Sequence, residues 1–94
     1  MVVQAKVKLV GETKKGVSQN TGNEWKVLSI MIEWLGNEGT HRVWGQLFNE
    51  QEESFFRQEI VVGDIVEVRL RFTSRSFRTG FISTEIQIEE IKKA

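Results

Sequence analysis

The sequence predicts an all-β protein: a five-stranded antiparallel barrel with one short helix between its third and fourth strands. Three observations predict it. Long stretches alternate apolar and polar residues with period two, the pattern of strands with one buried face and one wet face. Clusters of Gly and Asn punctuate these stretches, and no Pro or linker-like segment divides the chain. One segment, NEQEESFFRQEI, abandons alternation for helical spacing.

The first strand is expected over residues 3–9, with Val3, Ala5, Val7 and Leu9 on one face and Gln4, Lys6 and Lys8 on the other. It continues, bent, through Gly11 toward Val17, because strands that curve round a small barrel often carry a Gly at the bend. Residues 18–24, SQNTGNE, form a turn. The second strand spans residues 25–35. Leu28, Ile30, Ile32 and Trp34 form its core face; Trp25, Val27, Ser29, Met31 and Glu33 form the other. GNEG (36–39) makes the next hairpin, and THRVWGQLF (40–48) is the third strand.

Residues 49–60 read as the helix. Asn49 is a suitable N-cap with Glu52 three residues on, a capping-box spacing. Glu50, Glu52 and Glu53 suit the positive end of the helix dipole. Phe56 and Ile60, four apart, supply the apolar stripe. Residues 62–64 turn the chain into the fourth strand, where Val66, Val68, Leu70 and Phe72 alternate with Glu67, Arg69, Arg71 and Thr73. A basic, aromatic tip, SRSFRTGF (74–81), leads to the fifth. There Ile82, Thr84, Ile86 and Ile88 alternate with Ser83, Glu85, Gln87 and Glu89. Three strands, a helix and two strands in one domain, residues 1–94, describe the OB-fold, a partly open Greek-key barrel. The nearest alternative, a five-stranded SH3-like barrel, would not normally place such a helix there.

Composition narrows the function. The 94 residues suffice for one small domain, and 39% hydrophobic with 28% charged residues supports an ordinary core. With no Cys and one His, thiolate catalysis, disulfides and multi-histidine metal sites are excluded. No phosphate loop, nucleophile elbow or catalytic constellation is present, so neither an enzyme nor a cofactor is expected. The opening MVVQAKVKLVGE lacks a signal-peptide pattern and no apolar run reaches membrane-spanning length. A cytoplasmic protein without a membrane partner is the default expectation. Thirteen basic and thirteen acidic residues cancel. Yet residues 69–81 hold four Arg and no acid, while residues 49–59 hold four Glu and one Arg. A neutral total therefore leaves room for one basic and one acidic side.

Three segments resemble bacterial single-stranded DNA-binding proteins: GNEWKVLSIMI, HRVWGQLFNE and VGDIVEVRLRFTSRSFRTGFISTEIQI. They look like that family's second strand, its aromatic-Gly third strand running into the helix, and its last two strands with their basic-aromatic tip. The layout is also similar to a small bacterial OB-fold family of unknown function and, more distantly, to the primosomal replication OB protein. The resemblance implies an OB-fold that binds single-stranded DNA or RNA in replication or repair and assembles as a dimer or tetramer. Two features depart from it. The sequence ends at Ala94 without the family's acidic-tipped tail, and GNEG is short where the family carries a longer basic loop.

By resemblance, Trp44, followed by Gly45, and Phe77 in the tip are the base-stacking aromatics. Trp44 either faces out with Thr40, Arg42 and Gln46 or plugs the barrel; the former leaves Val43 and Leu47 for the core. Phe77 is flanked by Arg75 and Arg78, and Phe81 either stacks a base or pairs across the hairpin with Phe72 or Phe77. Trp25, opposite in parity to its strand's core residues, is either a stacking platform or a cover for a subunit surface. Arg42, Arg71, Arg75, Arg78, Lys14 and Lys15 are candidates for phosphate contacts. For Arg71, with Arg69, the alternative is cross-strand pairing to Glu85 and Gln87; for the two lysines it is a solvated turn. His41 reads as a polar strand residue. Two functions fit: a module binding single-stranded nucleic acid with little sequence preference, or an OB-fold interaction or oligomerisation module.

Overall fold

A computed structural model describes residues 1–76, 79–80 and 82–94, with the backbone alone at residues 75, 82 and 83. The chain runs β1 (Val2–Val17), β2 (Glu24–Gly36), β3 (Gly39–Phe48), α1 (Glu50–Arg57), β4 (Ile65–Ser76) and β5 (Ile82–Lys93). The strands close a barrel in the order β1-β2-β3-β5-β4. Four junctions are antiparallel, as expected. The fifth, β3 to β5, is parallel and has, among the described residues, a single register pair, Gln46 opposite Gln87. Among the described residues no helix is long and apolar enough to cross a membrane.

The alternating positions fill the interior. Ala5 and Val7 come from β1, Leu28, Ile30 and Ile32 from β2, Leu47 from β3, Val66, Val68 and Leu70 from β4, and Ile88 and Ile91 from β5. Gly45 is also interior: a Cβ there would lie 2.7 Å from Ile88 Cδ1, so the absent side chain makes room for Ile88. Trp34, expected in the core, is only partly buried against it and stacks on His41 with ring centroids 5.3 Å apart.

Bulges redirect several side chains. A register shift between Val7 and Leu9 admits one extra residue, so Leu9 turns outward and is half exposed rather than buried. A second shift spans Gly11, whose backbone lies so close that a Cβ would sit 2.8 Å from the Ser29 carbonyl oxygen. Gly11 thus serves the bend assigned to it. A third shift at Arg69/Leu70 leaves Leu70 opposite Ile88 and Arg69 opposite Glu90, with Glu89 the extra residue. That extra residue reverses the parity of β5 and brings Ile91 inward. Phe72 keeps the parity of Leu70 but is exposed, because β4 there has run past the barrel's filled interior.

The helix is shorter than expected and presents a different face. Phe55 is 1% exposed and closes the barrel with Ile60, whereas Phe56, expected in the stripe, is 51% exposed. Asn49 does not cap through its side chain. Its Oδ1 instead accepts from the Lys26 backbone N–H at 3.0 Å, and its own N–H donates to the Lys26 carbonyl, tying the helix entry to β2. Glu52 is buried, and its Oε2, without a hydrogen-bond partner among the described residues, lies 3.8 Å from Lys26 Nζ. The helix ends in a Schellman motif: Glu59 N–H donates to the Phe56 carbonyl and Ile60 N–H to that of Phe55. Glu59 holds the left-handed position of that motif, with φ 56°.

Candidate nucleic-acid interface

Residues opposite one another in an antiparallel ladder project to the same side of the sheet. Trp44 pairs with Met31, and Met31 with Leu9, so these three form one outward row across β3, β2 and β1. Ile32 and Leu47, of opposite parity, are fully buried. Trp44 therefore faces out, 48% exposed, and Val43 packs against the core as that parity requires. The next row runs Ser29, Gln46, Gln87, Arg71 across β2, β3, β5 and β4. It crosses the parallel junction and joins the Trp44 side to Arg71 on the last-paired strands. Beyond it lies the row Lys14, Val27, Phe48, and then Gly16 with Trp25.

Among the described residues the result is one outward face with three aromatic rings, Trp44, Phe48 and Trp25. Met31 and Trp25 are six residues apart on β2, so the face is about 20 Å long at the usual strand rise. Trp25 leans over Gly16, where any Cβ would run into its ring. Two shallow grooves flank β3. One, of about 390 Å³, lies between Trp44 and Gln46 on β3 and Thr84, Glu85 and Ile86 on β5. The other, of about 460 Å³, lies between Phe48 and the Arg71, Gln87 and Glu89 side chains.

Several charges on the barrel surface are already matched. Arg42 donates from Nε and Nη2 to Glu33 Oε2, at 2.8 and 2.6 Å, and this bond holds the Glu33 carboxyl below its ordinary range. Arg71 stands opposite Gln87, as expected, and approaches Glu89 at 4.0 Å, while Arg69 approaches Glu90 at 3.4 Å; the bulge in β5 supplies Glu89 and Glu90 in place of Glu85. Lys26 bonds Glu53 at 2.8 Å, which raises the lysine's pKa and lowers that of the carboxyl. The expected split into a basic and an acidic side is therefore softened by local pairing.

The sequence-derived residues fall into three groups. Trp44, Arg42, Arg71, Trp25 and Lys14 share the outward face. Lys15 stands opposite Lys26, on the other side of the β1–β2 ribbon, so it does not act with Lys14 as a pair. Phe77, Arg78 and Phe81 lie outside the described residues; Arg75 is described only by its backbone, opposite Ser83. Phe48 was legible, since it continues the parity of Trp44 and Gln46. Leu9 was not, because nothing in the alternation announces the bulge beside it. Among the described residues no three His, Cys, Asp or Glu side chains gather as a metal site needs.

No protein-family model and no curated protein matches the chain by sequence. Solved structures do match in fold. The second OB-fold domain of replication protein A from Methanococcus maripaludis is 23% identical, with a TM-score of 0.61 over 98% of this chain and 80% of that one. The mitochondrial single-stranded DNA binding protein Rim1 of S. cerevisiae is 18% identical over 99% of this chain and 91% of that one, with TM-scores of 0.61 and 0.60 in two crystal forms. The chain has an OB-fold: a closed five-stranded barrel with its short helix between β3 and β4.

Proposed function

We propose that this protein binds single-stranded nucleic acid, DNA in preference to RNA, across the outward face of β1, β2 and β3. The carrying observation is the row Ser29, Gln46, Gln87, Arg71 lying beside the exposed Trp44, which sets stacking, hydrogen-bonding and cationic groups on one surface. Bases stack on Trp44, Phe48 and Trp25, and Lys14, Arg42 and Arg71 meet phosphates. The tip residues Arg75, Phe77, Arg78 and Phe81 add stacking and phosphate contacts in this reading. Stacking of this kind tolerates any base and contributes about 1–3 kcal/mol per ring. Two of the fold's solved likenesses are, by name, a replication protein A domain and a single-stranded DNA binding protein, which supports the reading. The test is tryptophan fluorescence titrated with an oligothymidylate at low and high salt. Quenching that weakens with salt supports the proposal; no quenching at low salt overturns it.

A second reading, an oligomerisation module, is favoured by a different surface. An apolar groove of about 540 Å³ beside the helix is lined by Val10, Phe56, Val61 and Val62, all exposed. Exposed apolar clusters of this kind mark contact surfaces. Assembly as a dimer or tetramer would appear as a concentration-dependent mass in light scattering, lost on Phe56→Glu.

A further inference from the structure

The groove beside Trp44 has more chemistry than indiscriminate stacking needs. Its floor is apolar, with Val43 and Ile86 packed on the core. Its walls carry Gln46, Ser29 and Thr84, which can donate or accept, and Glu85, which when ionised only accepts. A base lying on the Trp44 ring turns its edge toward these groups. An edge group that loses water there without a matching partner is penalised.

A carboxylate offers two acceptor oxygens side by side, so it matches an edge with two adjacent donors. Guanine presents that edge, with N1–H next to the 2-amino group. Adenine and cytosine each set one amino donor beside a ring acceptor. Thymine sets its single N–H between two carbonyls, and acceptors facing a carboxylate repel it. Gln46 can donate its amide N–H to the guanine O6. Resting on the nucleic-acid reading above, we infer that the Trp44–Glu85 groove is a guanine-selective position within an otherwise tolerant face.

The experiment titrates the protein and Glu85→Gln with short oligothymidylates whose central base is thymine, guanine, hypoxanthine or cytosine. Hypoxanthine is guanine without its 2-amino group. The wild-type protein is expected to bind the guanine oligonucleotide roughly fivefold tighter than the other three, the low end for one base-edge contact. Glu85→Gln, which replaces one acceptor oxygen by a donor, is expected to bind all four alike. Glu85 is exposed and sits opposite Thr73 in the ladder, so the variant is expected to fold. Should its melting temperature fall, Glu85→Ala repeats the comparison. Equal wild-type affinity for guanine and hypoxanthine overturns the inference, as does a preference that survives both variants. In those outcomes binding itself persists and the broader reading stands; no binding to any of the four overturns both.

Discussion

Glu33 grips Arg42 across the β2–β3 ladder through one oxygen, Oε2, which accepts from Nη2 at 2.6 Å and from Nε at 2.8 Å. The pair stands one row beyond Trp44 on the outward face. A phosphate arriving there must share Arg42 with a carboxylate already bonded to it. Glu33→Gln releases the guanidinium. Oligonucleotide binding is then expected to tighten several-fold at low salt, with the slope of log affinity against log salt steeper by about 1. An unchanged slope would show that Arg42 meets no phosphate.

The same ion pairs set an acid limit on stability. The bond from Arg42 lowers the Glu33 carboxyl below the ordinary 4.5, and the bond from Lys26 does so for Glu53. The unfolded chain therefore takes up protons first as pH falls. The stabilisation is complete above the ordinary carboxylate range and fades as pH drops through the lowered folded values. Lys26 works in the opposite sense: its raised pKa keeps its contribution until the pH climbs above the ordinary 10.5. Urea midpoints should hold steady from neutrality to about pH 5 and decline below it, modestly because both pairs stand in water. A Glu33→Gln/Glu53→Gln variant is expected to decline less.

Trp44→Ala separates binding from folding. The ring is half exposed, so the melting temperature should change little. Affinity for oligothymidylate should fall by about 1–3 kcal/mol, the usual loss for one stacked base. Phe48→Ala is expected to behave alike. A binding loss confined to low salt would point away from stacking.

Glu59 occupies a left-handed position at the helix end, φ 56°, where the Schellman motif favours Gly. Glu59→Gly should stabilise the fold by about 1 kcal/mol, by removing the Cβ clash of that conformation. Thermal unfolding is the measurement, and a lower melting temperature would mean that the side chain contributes more than its strain removes.

Gly45→Ala should do the reverse. Its new Cβ would meet Ile88 Cδ1 and Cγ1 at 2.7 and 2.8 Å, inside a filled core. Overpacking of this size costs about 1–3 kcal/mol. A double variant with Ile88→Val is expected to recover part of that loss, which equilibrium unfolding can check.

The barrel was readable because period-two alternation is a direct image of an inside and an outside. Leu28, Ile30, Ile32, Val66 and Val68 followed it without exception. Outward parity also placed Trp44 and Arg42 on one surface. The residues that depart from the alternation do so for local reasons. Leu9 follows a bulge, Phe72 keeps its parity but lies where the strand outruns the barrel it lines, and Trp34 is only partly buried. The inward face of the helix was misread for a different reason. Phe55 and Phe56 are adjacent, and only the packing of α1 against β5 and β3 decides which of them turns inward. Asn49 had the residue type of a cap, but a tertiary bond to Lys26 claimed its side chain. The Schellman ending was hidden because Glu stands where Gly would have signalled it.

Among the described residues, the junction of β3 with β5 rests on one rung, Gln46 opposite Gln87. Every other junction has five or more register pairs among the described residues, so the cylinder is closed by a clasp rather than a seam. The row that crosses this clasp belongs to the proposed binding surface. A strand of nucleic acid lying over Gln46 and Gln87 would bridge the two halves from outside. Amide protons of β3 and β5 near this rung should then exchange fastest within the barrel, and slow most when the surface is occupied. The same arrangement makes the barrel's mechanical weak point and its proposed ligand site one place.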